Sequence, residues 1–145
     1  MGIDRIPLPR TDGALWLCAR RDVASDPDAA LRAAGGASTV ACLLPSDEVE
    51  YRSPEYLTWL RTHRGGKALW FPVANYEAPS ARSVLPFLRM LEARLDQGEG
   101  VVMHCALGQG RAGTLAVCLL MVLGADRRTA QTTVASHRAM AGPGN

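Results

Sequence analysis

The stretch from Val101 to Thr114, VVMHCALGQGRAGT, limits what this chain can fold into more than any other segment. Its apolar start predicts a buried strand over residues 100–104, feeding a loop that Cys105 opens and Arg111 closes. Gly108, Gly110 and Arg111 predict a tight loop, and the apolar residues that follow predict a helix. A strand passing into a helix through a short glycine-bearing loop is the unit of a parallel α/β sheet. It puts Cys105 at the C-terminal end of a strand, where such sheets bind ligands.

Three influences favour a thiolate at Cys105. The helix that follows points its positive end at the loop. Successive backbone N–H groups of a glycine-containing loop converge on an anion. Arg111 adds a fixed cation with donors in a fork. A thiolate in such a place is a nucleophile. The backbone of Ala106, Leu107, Gly108, Gln109 and Gly110, together with Arg111, also makes a cradle for a tetrahedral oxyanion. Nucleophile and cradle in one loop point to phosphoryl transfer through a cysteinyl-phosphate. The competing reading makes Cys105 a core thiol, Arg111 a surface charge and the glycines ordinary turns. The coincidence of all these parts in the required order weighs against it.

The rest of the chain alternates in the same way. Residues 14–18 read as a first strand. Asp26-Pro27 opens a helix that Gly35-Gly36 ends. Residues 38–44 are a continuous apolar run, as in a strand buried on both faces, and Pro45 stops it. Ser53-Pro54 starts a helix with Tyr56, Leu57 and Leu60 on one face. Residues 67–73 read as a strand leading into a loop through Pro79. Val84, Phe87, Leu88, Leu91 and Leu95 recur at helical spacing, with the start at Ser80 or, given Pro86, at Ser83. Residues 112–123 are apolar on nearly every side and predict a central buried helix. Asp126 caps a last helix over 127–141, and the tail 141–145 is expected to fray. The fold expected is α/β: a single domain, residues 1–145, with a mostly parallel central sheet of four to five strands and helices on both faces.

Composition excludes more than it proposes. At 145 residues, 48% of them hydrophobic, the chain is long enough to bury one core. A net charge of +2 gives no reason to expect nucleic acid or a membrane surface as partner. Cysteines 18, 42, 105 and 118 fit neither a zinc site nor a disulfide framework, and read as reduced thiols of a cytoplasmic protein. No metal or cofactor is expected. The N-terminus lacks a signal core, and the longest apolar stretch, 114–125, is too short to span a bilayer.

His104-Cys105, five residues and Arg111 resemble the HCx5R loop of the cysteine-dependent protein tyrosine phosphatases. HCALGQGRAGT is most similar to that of the small atypical dual-specificity phosphatases. The resemblance implies a cysteine-dependent protein phosphatase with Cys105 as nucleophile and Arg111 as phosphate ligand. Substrates would be a phosphorylated protein or a small aryl phosphate. It makes His104 an internal hydrogen-bonding residue that shapes the loop, not a general base. It also implies a general acid, an Asp about thirty residues before the Cys. Here that position is Asn75, which cannot give up a proton. Glu77 can replace it, the enzyme can work without an acid on good leaving groups, or the domain can bind phosphate with little turnover as a pseudophosphatase. Ala112 stands where many relatives carry a hydroxyl that helps the thiolate leave, which adds to the expectation of a slow enzyme. The uncharged Ala106, Leu107 and Gln109 disfavour a polyanionic substrate, since relatives acting on inositol phospholipids place lysines there. Cys42 is a core thiol or a redox partner of Cys105. Sulfur transfer of the rhodanese type fits His104 and the GRAGT continuation less well.

Overall fold

Twelve elements follow one another along the chain of the computed structural model, which describes residues 2–75, 77 and 79–143. They are β1 (Asp4–Ile6), β2 (Ala14–Ala19), α1 (Arg21–Ala24), α2 (Pro27–Ala33), β3 (Thr39–Cys42), α3 (Ser46–Arg52), α4 (Pro54–His63), β4 (Ala68–Trp70), α5 (Ala81–Asp96), β5 (Gly100–Cys105), α6 (Arg111–Val122) and α7 (Arg127–His137). The strands form one sheet in the order β1-β2-β5-β3-β4. β1 is antiparallel to β2, and every other pairing is parallel.

The expected α/β architecture is the one observed. Its logic follows from burial. All of β3 is buried, and so is β5 from Val101 to Cys105. A strand whose alternate side chains are all buried must be covered on both faces. α5 and α6 pack on β5 and on each other, α7 packs on α6 and β1, α2 on β3 and α4 on β4. β5 arrives last and inserts between β2 and β3, so it is the central strand. Among the described residues no helix is long and apolar enough to cross a membrane.

Several expectations are corrected. β1 was not foreseen: three residues, Asp-Arg-Ile, carry too little alternation to register. α1 and α3 were also missed. α3, SDEVEYR, buries only Val49, so it shows no apolar period. The strands expected over 38–44 and 67–73 pair only over Thr39–Cys42 and Ala68–Trp70. α5 takes the earlier start, with the Ser80 side chain accepting from the Ser83 N–H at 3.2 Å. Pro86 lies inside it on the exposed face, where the carbonyl it leaves free meets water. α7 is capped by Asp126 as expected but stops at His137. The tail does not fray where it is described: Ala141 and Gly142 are buried, and the Gly142 N–H donates to the Gln109 carbonyl at 3.1 Å. Gly144 and Asn145 lie outside the described residues.

The C-terminal ends of four parallel strands therefore meet at one edge. The chain leaving β2 brings Arg20 and Arg21, that leaving β3 brings Leu44 and Glu48, that leaving β4 brings Val73 and Asn75, and that leaving β5 brings Cys105 to Arg111.

Candidate active site

The loop between Cys105 and Arg111 is turned inside out. Every carbonyl from Ala106 to Gly110 accepts a hydrogen bond from outside it. The Arg20 N–H reaches the Ala106 carbonyl at 3.0 Å. Arg138 reaches Leu107 through Nη2 at 2.7 Å and Gly108 through Nε at 2.9 Å. The Gly113 and Gly142 N–H groups both donate to Gln109, and the Thr114 N–H donates to Gly110. Among the described residues, no protein group accepts from the N–H groups of Ala106 to Arg111. A trans peptide points its N–H opposite its carbonyl, so with these carbonyls and that of Cys105, held by His104, turned away, the six donors face a common interior. This is the arrangement that binds a tetrahedral anion. Gly108 makes the bend possible. Its φ is +74°, and a Cβ there would collide with the Cys18 carbonyl.

Cys105 ends β5, opposite Ala19 of β2, with 3% of its surface exposed. The Ala112 N–H, in the first turn of α6, is aimed at Cys105 Sγ at 3.4 Å. A donor and a helix N-terminus both stabilise negative charge at that atom. Arg111 opens α6. Its Nη1 and Nη2 form a two-point ion pair with Glu48 Oε1 and Oε2 at 2.9 and 3.1 Å, and Nη1 also donates to the Val73 carbonyl at 2.8 Å. These bonds use three of the guanidinium hydrogens. Among the described residues the Nε–H and one Nη2–H have no acceptor, and they form a side edge matched to two oxygens of one anion.

His104 lies beneath the loop, fully buried. Its Nδ1 bonds to the Cys105 carbonyl at 3.0 Å and its Nε2 to the Tyr56 hydroxyl at 2.6 Å. A carbonyl only accepts, so Nδ1 carries the hydrogen and the Tyr56 hydroxyl donates to Nε2. Burial pushes the ring's pKa down to about 4, with Arg20 and Arg111 adding to the effect against the Cys105 carbonyl and Asp22. A neutral ring with both nitrogens engaged holds the loop and is not free to take a proton from substrate.

The loop after β4 is rooted at the site through the Val73 carbonyl. Asn75 follows two residues later and is exposed, as is Glu77. Among the described residues, no hydrogen bond joins either side chain to the cradle. Tyr76 and Ala78 of this loop lie outside the described residues. Cys42 is a free thiol in β3, in register with His104 rather than Cys105. Burial pushes it up to about 12, which makes it a poor nucleophile. Among the described residues no cluster of His, Cys, Asp or Glu is placed to hold a metal ion.

Glu48, Tyr56 and Arg138 were not singled out by sequence. In sequence Tyr56 is one apolar-face residue of its helix, beside Leu57 and Leu60. Glu48 and Arg138 reach the loop from 63 and 30 residues away, and neither sits in a local pattern.

A family model described as a Swiss Army Knife protein DSP-PTPase phosphatase domain matches residues 17–143. The chain is similar to the solved structure of Tk-PTP in its active form, with 28% identity, TM-score 0.67, and coverage of 95% of this chain and 86% of that one. It is similar in fold to a kinase associated phosphatase carrying a serine in place of its catalytic cysteine, at 20% identity and TM-score 0.79, covering 99% and 86%. Human DUSP28 shows the same fold at 20% identity and TM-score 0.68, covering 97% and 84%.

Proposed function

The chain belongs to the DSP-PTPase phosphatase domains, and from that premise we propose that it hydrolyses phosphate monoesters through a cysteinyl-phosphate at Cys105. The observation that carries this reading is the inverted loop around one thiol, whose six N–H groups donate to no protein group among the described residues.

The Cys105 thiolate attacks phosphorus. An S–P bond forms as the ester P–O bond breaks, and the departing oxygen takes a proton. The loop N–H groups and the free edge of Arg111 hold the equatorial oxygens as their charge develops. They supply the positive charge that a metal supplies in other phosphoryl-transfer sites, so no metal is required. Water then attacks the phosphocysteine, the S–P bond breaks, and phosphate and the thiolate separate.

Protonation of the leaving oxygen is the weak point. Asn75 cannot supply the proton, so the enzyme is slow and favours phenolate leaving groups, which need little protonation. Ala112 offers no hydroxyl to the departing thiolate in the second step. Both residues also favour a second reading, a phosphatase-like module that captures a phosphoprotein and turns it over poorly.

Hydrolysis of p-nitrophenyl phosphate and of a phosphoserine peptide by wild type, Cys105→Ser, Asn75→Asp and Glu77→Gln separates these. Activity should vanish in Cys105→Ser. In Asn75→Asp it should rise, more on phosphoserine than on the aryl ester, within the roughly 10²–10⁴-fold range of a general acid. A loss in Glu77→Gln makes Glu77 the acid. No Cys105-dependent turnover, with vanadate still bound, leaves the binding module.

A further inference from the structure

Three arginines reach one cleft beside the cradle. Arg20 and Arg21 follow β2 directly, and Arg52 ends α3. The cleft has a volume of about 430 Å³; Ala106 and Leu107 of the loop line it, together with Arg20, Arg21, Tyr51 and Arg52. A second hollow shares the three arginines and continues past Ser53 and Pro54. The basic wall thus runs along a groove that leads away from the cradle.

Positive charge in this groove exceeds the negative charge around it. Glu48 also lines the cleft, but both its oxygens are held by Arg111. Asp22 turns back to the Ala19 N–H at 3.1 Å. Glu55 borders the far hollow. Arg20 Nη1 donates to the Ser53 hydroxyl at 2.6 Å, and the Arg52 guanidinium lies 5.3 Å from the centre of the Tyr51 ring. Among the described residues, no carboxylate forms an ion pair with Arg20, Arg21 or Arg52. Like charges gathered in a cleft repel one another and concentrate anions from solution. Guanidinium groups are suited to phosphate and carboxylate oxygens. The wall is also tied to the reacting loop, because the Arg20 N–H holds the Ala106 carbonyl.

We propose that this wall is a second anion subsite, and that the preferred substrate is a phosphoprotein segment with another phosphate or carboxylate near the one in the cradle. Two hollows that share one basic wall offer room to a peptide longer than the residue in the cradle. Exposed Tyr51 and Leu107 give it apolar surface to lie against, at 82% and 52% exposure. The uncharged Ala106, Leu107 and Gln109 taken alone disfavour a polyanionic substrate, but the arginines beside them supply the charge that the loop lacks. The proposal rests on the phosphatase reading for turnover but not for binding.

The test compares a phosphotyrosine peptide with a series carrying a second phosphate one, two or three residues to either side. Each is assayed with wild type, Arg21→Ala/Arg52→Ala and Arg21→Lys/Arg52→Lys. At least one doubly phosphorylated peptide should exceed the single one in kcat/KM by about tenfold, the scale of one hydrogen bond to a charged group. That ratio should collapse in the alanine pair, survive in part in the lysine pair, and shrink as salt rises, since Arg21 and Arg52 are exposed. The same peptides are titrated into the Cys105→Ser protein by fluorescence anisotropy. Equal values across the series, or a preference untouched by the alanine pair, overturn the subsite. Discrimination in binding without Cys105-dependent turnover keeps the subsite and removes the phosphatase reading.

Discussion

Arg138 is buried to 3% exposure, paired with Asp4 Oδ2 at 2.8 Å, and directs Nε and Nη2 at the backs of Gly108 and Leu107. It lies behind the loop, on the carbonyl side. Its effect is to fix which way two peptide planes of the cradle face. Arg138→Met leaves those carbonyls without donors, at a cost of about 1–3 kcal/mol each in a buried setting. They can recover by rotating toward other donors, which turns their neighbours' N–H groups out of the cradle. The expected result is weaker binding of vanadate and a raised KM for p-nitrophenyl phosphate, beyond what the loss of stability explains. Arg138→Lys should recover little, because an ammonium lacks the planar fork that serves both carbonyls. A Met variant that unfolds earlier but binds vanadate normally would make Arg138 a structural residue only.

α6 and the C-terminal tail meet backbone to backbone. Gly113 lies in the first turn of α6, against the backbone of Gly142, and a Cβ there would collide with the Gly142 nitrogen. Helix propensity alone favours alanine by about 1 kcal/mol. Packing opposes it, and overpacking costs typically about 1–3 kcal/mol. Gly113→Ala should therefore lower stability, with a smaller loss in a chain ending at Met140. Urea denaturation of both single variants and the double variant measures that coupling. The same join shows what sequence can reveal. The loop from Cys105 to Arg111 was legible because its parts are consecutive: strand, thiol, glycines, cation and helix. α2, α4 and α5 were legible because caps and apolar periods are local. β1, α3 and the tail were not, since a three-residue edge strand, a helix burying one valine and a terminal turn gain their order from distant partners. Glu48 illustrates the same limit, being one acidic residue among four in 46–55 until β3 and β5 lie side by side.

At the scale of the whole molecule, His104 couples the core to pH. Its ring joins Tyr56 of α4 to the end of β5, and burial lowers its pKa from 6.5 to about 4. The unfolded chain takes up a proton near 6.5, whereas the folded chain does so only near 4. Between those values the unfolded state binds more protons, so stability rises with pH and falls on acidification. The contribution is fully present above 6.5, declines through the window and is lost near 4. At about 1.4 kcal/mol per pH unit it amounts to about 3 kcal/mol. Carboxylates add a separate loss at lower pH. Asp28 and Asp126, lowered by the Lys67 side chain and the Thr129 N–H respectively, stabilise the fold above their unfolded values and release that contribution as pH falls below 3.8. Asp126 is exposed and Asp28 partly so, and solvent screens their share. The decline between pH 6.5 and 4 should therefore follow His104. Urea midpoints measured across that window should drop in wild type and flatten in His104→Gln. NMR of the wild-type ring supplies a check that does not need the variant to fold: the His104 imidazole should stay neutral at pH 5. A protonated ring in the native protein at that pH would remove the coupling, and with it the assignment of the Tyr56 hydroxyl as donor to Nε2.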